Sequence, residues 1–85
     1  MSATTVTLIA KPGCHLCDDA RTVVDRVLGE LDRDGVVVRL VERNILEEPQ
    51  LAARYADDIP VVLVDERLHG RWRIDADALR EDLLR

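Results

Sequence analysis

A short apolar run, Thr5-Val6-Thr7-Leu8-Ile9, passes through Lys11-Pro12-Gly13 into a helical pattern that opens with Cys14-His15-Leu16-Cys17. No other stretch constrains the fold as much. β-Branched residues closed by Pro-Gly read as a strand entering a loop. From Leu16 onward, Ala20, Val23, Val24, Val27, Leu28 and Leu31 recur at helical spacing. A strand over 5–9 and a helix over 15–31 put Cys14 at the helix N-terminus. Unpaired amide N–H groups and the positive end of the helix dipole favour a thiolate there. Such a place, or a Cys-x-x-Cys spacing, lowers a thiol pKa from about 8.5 to roughly 3.5–7.5. Both cysteines of the chain lie in this segment, so the pattern points to thiol–disulfide chemistry.

The remaining elements follow the same kind of signal. Arg33-Asp34-Gly35 ends the first helix, and Val36 to Val41 reads as a second strand, apolar enough to be covered on both faces in a parallel pair. Asn44 is a candidate cap for a short helix over Leu46 to Tyr55, with Pro49 marking the start of its regular part. Val61-Val62-Leu63-Val64 is a third buried strand, preceded by Ile59-Pro60, and Arg67 to Trp72 a fourth, exposed and edge-like. Asp75 is placed to cap a last helix carrying Ala78, Leu79, Leu83 and Leu84. The expected fold class is α/β: a β-α-β unit, then a β-hairpin and a closing helix, in one mixed four-stranded sheet flanked by helices.

Eighty-five residues make one domain spanning 1–85. A net charge of −5 argues against a phosphate-binding surface. With Tyr55, Trp72 and no Phe, the chain lacks the stacking platforms that single-stranded nucleic acid needs. The expectation is no nucleic-acid partner. The N-terminal segment lacks the basic region and apolar core of a secretory signal, and no apolar stretch nears the ~20 residues of a membrane span. A cytoplasmic protein acting as a monomer, away from membranes, is expected. In a reducing compartment a Cys-x-x-Cys pair is redox-active or metal-binding rather than a permanent staple.

With these elements in place the chain resembles a glutaredoxin-like member of the thioredoxin-fold superfamily, over essentially all 85 residues. The motifs that carry the resemblance are Lys11, three residues before Cys14, the Cys14-x-x-Cys17 pair itself, and the Ile59-Pro60 step before the third strand. The resemblance implies a cis Pro60, and an Ile59 backbone that faces the cysteines and hydrogen-bonds an extended thiol substrate. Two departures stand out. His15-Leu16 replaces the usual Pro-Tyr or Gly-Pro between the cysteines. The paired glycines of glutaredoxins fall on Gly70 and Arg71, and the acidic pair that helps hold the γ-glutamyl end of glutathione falls on Arg73 and Ile74, with Asp75 one position late.

The expected chemistry follows. Cys14 attacks a disulfide and Cys17, one helical turn inward and more buried, resolves the mixed disulfide. His15 stabilises the Cys14 thiolate as imidazolium or simply faces solvent; Asp18 and Asp19 pull the other way. Lys11 steadies the thiolate, meets a ligand carboxylate, or is a plain surface lysine. Pro60 serves architecture and substrate docking. Arg71 and Arg73 read as solvated edge-strand charges that discourage edge pairing, or as contacts to an anionic ligand.

The activity so described is a thiol–disulfide oxidoreductase acting on disulfide-containing proteins or glutathione mixed disulfides. It needs no bound cofactor, and glutathione or a thioredoxin-reductase-type system is the reductant. A variant of the same reading is a thiol-transfer enzyme that needs Cys14 alone. The alternative from another class is a non-catalytic module that binds a partner, or a metal or iron–sulfur centre shared between two subunits, as the wider glutaredoxin family implies. A structural zinc site needs four ligands, and beyond the cysteines only His15 and His69 are soft candidates, so no single-chain metal site is expected. Haem attachment fails because Asp18, not His, follows Cys17.

Overall fold

The computed structural model describes residues 3–85. Seven elements follow one another: β1 (Thr4–Ala10), α1 (His15–Arg33), β2 (Val38–Asn44), α2 (Pro49–Tyr55), β3 (Val61–Val64), β4 (Arg67–Arg71) and α3 (Ala76–Leu84). The sheet order is β2-β1-β3-β4. β1 pairs with β2 in parallel and with β3 antiparallel, and β3 pairs antiparallel with β4. The expected β-α-β-α-β-β-α order and the mixed four-stranded sheet are both present.

Side-chain alternation in β1 sorts the core into two layers. Val6, Leu8 and Ala10 point to the face covered by α1 and α3, where Val62, Val64, Val24, Val27, Leu31 and Leu79 join them. Ile9 points to the other face and meets Val61 and Ile45, with Leu51, Ala52 and Tyr55 packed against them. Of the helical stripe read from the sequence, α1 buries Ala20, Val24, Val27 and Leu31, joined by Cys17, while Leu16, Val23 and Leu28 are half-buried. α1 stops in a Schellman turn: Val36 N–H donates to the Leu31 carbonyl (2.8 Å) and Gly35 N–H to the Asp32 carbonyl (3.0 Å). Gly35 has φ of 83°, the left-handed conformation this motif requires.

Two expectations are corrected. The second strand starts two residues and ends three residues later than Val36–Val41, and it is an edge strand rather than one covered on both faces. Val37 is 64% exposed and Leu40 37%. With β1 as its single neighbour and a seven-residue α2 on one face, its apolar run is longer than the cover available. Asn44 does not cap a helix either. Its Oδ1 accepts from Leu46 N–H at 2.9 Å, an Asx turn that ends the strand. α2 starts at Pro49, after Glu48, which makes no side-chain capping bond, so Leu46 lies outside the helix and is exposed. Asp75 does cap α3, accepting from Ala78 N–H at 3.0 Å. Within α3, Leu79 and Leu83 are buried, whereas Ala78 and Leu84 face solvent.

β4 carries an irregularity. Val62 pairs with Gly70 but Leu63 with Leu68, which leaves His69 without a partner in the ladder. A bulge of this kind re-aims a side chain. The His69 ring sits 2.7 Å from Asp82 Oδ2 on α3, and Arg67 donates to the same carboxylate (2.6 and 3.3 Å). Arg67, the nearest cation, holds the Asp82 carboxyl below the usual range, and His69 adds to the effect. α3 is thereby tied to β4 near the closing end of the chain.

Candidate active site

The loop between β1 and α1 delivers the two cysteines. Gly13 adopts φ of 76°, which lets the chain turn out of Pro12 and enter the helix at Cys14. Cys14 is the N-cap of α1, in extended conformation (φ −103°, ψ 116°). Its sulfur accepts a hydrogen bond from Cys17 N–H at 3.3 Å, and its carbonyl accepts from Asp18 N–H at 3.0 Å. The capping role that Ser or Asp usually fills is taken here by a thiol. An amide N–H therefore points at the sulfur, an arrangement that favours negative charge on it.

The two thiols are free and differ in setting. Cys14 is half-buried and Cys17 wholly buried in the α1–α3 core. Burial pushes the Cys17 thiol up to about 11; hydrogen bonding with Cys14 adds to the rise and the Lys11 backbone N–H opposes it. Lys11 thus contributes through its main chain. Its side chain is exposed and borders a shallow groove of about 380 Å³ shared with Pro12, Arg21, Glu42, Arg43 and Asn44. His15 is exposed as the first residue of α1.

The Ile59-Pro60 peptide bond is cis, as the resemblance implied. Pro60 is buried, and Ile59 packs against both core layers, including the one that holds Cys14 and Cys17. The Pro60 carbonyl accepts from Trp72 N–H at 2.8 Å, which extends the β3–β4 pairing by one step and fixes the segment after β4. Among the described residues, no group of three His, Cys, Asp or Glu side chains is placed to hold a metal ion.

One part of the site was not read from the sequence. The first turns of α1, from Leu16 between the two cysteines to Val23, and residues 72–74 enclose a second cavity of about 200 Å³. Trp72 has φ of 65° and is about half exposed, while its indole N–H donates to the Asp57 carbonyl at 3.2 Å. Arg71 lies over the ring at 5.0 Å and pairs with Asp58 at 3.7 Å, so it is engaged rather than freely solvated. Asp75, which directly follows the lining residue Ile74, is committed to capping α3. The one available signal was that Trp72 is the sole tryptophan, set between two arginines.

A Cys-x-x-Cys pair capping the first helix, a cis proline at the head of β3 and the β2-β1-β3-β4 sheet define a thioredoxin-fold domain. Residues 5–84 match the family described as Glutaredoxin-like domain (DUF836), and the chain belongs to that family. An uncharacterized protein of Mycobacterium tuberculosis is 32% identical over 85 residues, covering 100% of this chain and 88% of its own. A glutaredoxin-like protein of Dictyostelium discoideum is 24% identical over 79 residues, 92% of this chain and 73% of that one. Among solved structures, a protein of X. campestris superposes with a TM-score of 0.70 at 27% identity, over 92% of this chain and 93% of its own. Chloroplastic thioredoxin z, at 17% identity, shares the fold with a TM-score of 0.73 over 95% of this chain and 75% of its own. No helix among the described residues is long and apolar enough to cross a membrane.

Proposed function

We propose that the chain is a dithiol–disulfide oxidoreductase that reduces disulfides of proteins or mixed disulfides of glutathione. The observation that carries this reading is the asymmetry of the pair: Cys14 is half-buried with an N–H aimed at its sulfur, and Cys17 is buried one turn behind it. The Cys14 thiolate attacks one substrate sulfur. A Cys14–substrate bond forms, and the other substrate sulfur leaves as a thiolate that takes a proton from solvent. Cys17 then attacks the Cys14 sulfur, its proton passing to the departing substrate thiolate, and the Cys14–Cys17 disulfide forms.

Two electrons have moved from the pair to the substrate. Two molecules of glutathione, or one dithiol of a thioredoxin-reductase-type system, return them. Lys11 and Pro60 shape the approach to Cys14, His15 borders it, and the Ile59 backbone offers hydrogen bonds to an extended substrate. No prosthetic group is required. A monomer in a reducing compartment such as the cytoplasm suits this chemistry.

Replacing Cys17 by Ser removes the resolving step. Incubated with a disulfide substrate, Cys17→Ser is expected to accumulate a stable adduct on Cys14, read by intact mass, and Cys14→Ser to form none. In glutathione buffers the wild-type pair is expected to interconvert reversibly between dithiol and disulfide or glutathione adduct. Thiols that stay unmodified across the whole range, with no adduct on Cys17→Ser, would overturn the reading in favour of a partner-binding module.

A further inference from the structure

The cavity between α1 and residues 72–74 has a chemistry of its own. Its apolar lining comes from Leu16, Ala20 and Val23 on α1 and from Ile74 across from them. Trp72 forms one wall and is held from three directions: by Pro60 through its backbone N–H, by Asp57 through the indole N–H, and by Arg71 over the ring. A non-glycine residue at positive φ is uncommon, and rarer still for a bulky side chain. Here such a residue leaves about half of a large aromatic surface in solvent, over a cavity whose lining begins at Leu16, between the two cysteines. The rim carries Asp19 on one side and Arg73 on the other, and neither forms an ion pair among the described residues.

At about 200 Å³ the cavity is smaller than the roughly 300–1,000 Å³ of sites that enclose whole small molecules. It has room for one side chain. Glutathione has no apolar side chain to fill it, and the cavity offers an aliphatic floor and an indole wall. Resting on the oxidoreductase reading, we infer that this groove selects a protein substrate: a peptide segment with a large apolar residue beside its reacting cysteine, seated against Trp72 and Leu16. The two rim charges fit the same occupant, since a peptide can meet Asp19 with a basic group and Arg73 with an acidic one as it crosses the groove.

Two short peptides, identical except for Leu or Ser next to a single cysteine, are each prepared as a mixed disulfide with a small thiol. Wild-type protein is expected to react with the Leu peptide roughly tenfold faster than with the Ser peptide, the scale of discrimination that apolar contacts provide. It is also expected to react faster with the Leu peptide than with oxidised glutathione. Trp72→Gly, which suits the positive φ and removes the wall, is expected to cut the preference to within about twofold. Leu46→Ala, which removes a distant exposed leucine, is expected to keep it. Equal rates for the two peptides, a preference unchanged in Trp72→Gly, or oxidised glutathione as the fastest substrate would each overturn the inference.

A second readout separates the groove from the chemistry. Trp72 is the only tryptophan, so its fluorescence reports occupancy directly. In a Cys14→Ser, Cys17→Ser protein, the Leu peptide with its cysteine replaced by Ser is expected to shift the emission saturably, and the Ser peptide to do so only at much higher concentration. A saturable shift without any disulfide exchange keeps the groove and sinks the oxidoreductase reading. Exchange that proceeds with no shift and no preference does the reverse.

Discussion

The two faces of the sheet are built to different standards. On one, α1 and α3 cover β1 and β3 with a continuous aliphatic layer that includes Val6, Leu8, Val24, Val27, Leu31, Val62 and Leu79. On the other, seven-residue α2 buries no residue fully, and the layer beneath it reduces to Ile9, Ile45 and Val61 with partly covered neighbours. Cys17 belongs to the thick layer and Cys14 packs against it. The contrast teaches where positional precision is needed. Cys14 and Cys17 are held by the well-packed face, whereas the thin face needs only to close the domain.

Unequal packing implies unequal mutational costs. Leu79→Ala, in the thick layer, is expected to destabilise by about 2–5 kcal/mol, read as the free energy of urea unfolding. Equal losses from this variant and from its thin-face counterpart below would break the comparison.

The buried thiol supplies a second test of the thick face. The folded state holds the Cys17 proton to about pH 11, while an unfolded thiol loses it near its ordinary value of 9.0. Between these values the native state binds more protons. Stability is therefore fully present below the lower value and falls as pH rises through the higher one, by on the order of 2–3 kcal/mol. Under reducing conditions, urea unfolding at pH 8 and pH 11 is expected to show a larger alkaline loss in wild type than in Cys17→Ala. The same alkaline loss in both proteins would mean that the core around Cys17 is open to water.

On the thin face, Ile45→Ala is expected to cost about 2 kcal/mol, the low end of the range for such truncations, because the surrounding layer is shallow and can relax. The smallest effect is at the entrance to α3. Asp75→Ala removes the bond to Ala78 N–H and is expected to cost about 1 kcal/mol, with Asp75→Asn recovering most of it. A loss from Asp75→Ala well above 2 kcal/mol would show that the residues 72–74 wall and α3 move together.

The legible parts of the fold were those encoded by near neighbours. The aliphatic stripe of α1, the Asp75 cap and the hairpin of β3 and β4 each depend on residues within a turn or two. The cysteine pair was legible for the same reason, since its place at a strand-to-helix junction is local. β2 was misread because an apolar run looks the same whether a second helix covers it or it lies at an edge. Asn44 was misread because an Asx turn and a helix cap use the same side-chain oxygen. The groove was invisible because it joins α1 to residues about fifty positions later, and its wall is set by a bond from Trp72 to Asp57.

The sequence by itself determined the element order, the fold class and the place of the two cysteines at a strand-to-helix junction, because periodicity, caps and spacing act over a few residues. Only the tertiary structure decided which strand is an edge, how far Cys17 is withdrawn from water, and that Trp72 and Leu16 share a side-chain-sized cavity. Those properties are set by burial and by contacts between distant segments, and they exist only once the sheet has brought β1, β3 and β4 together.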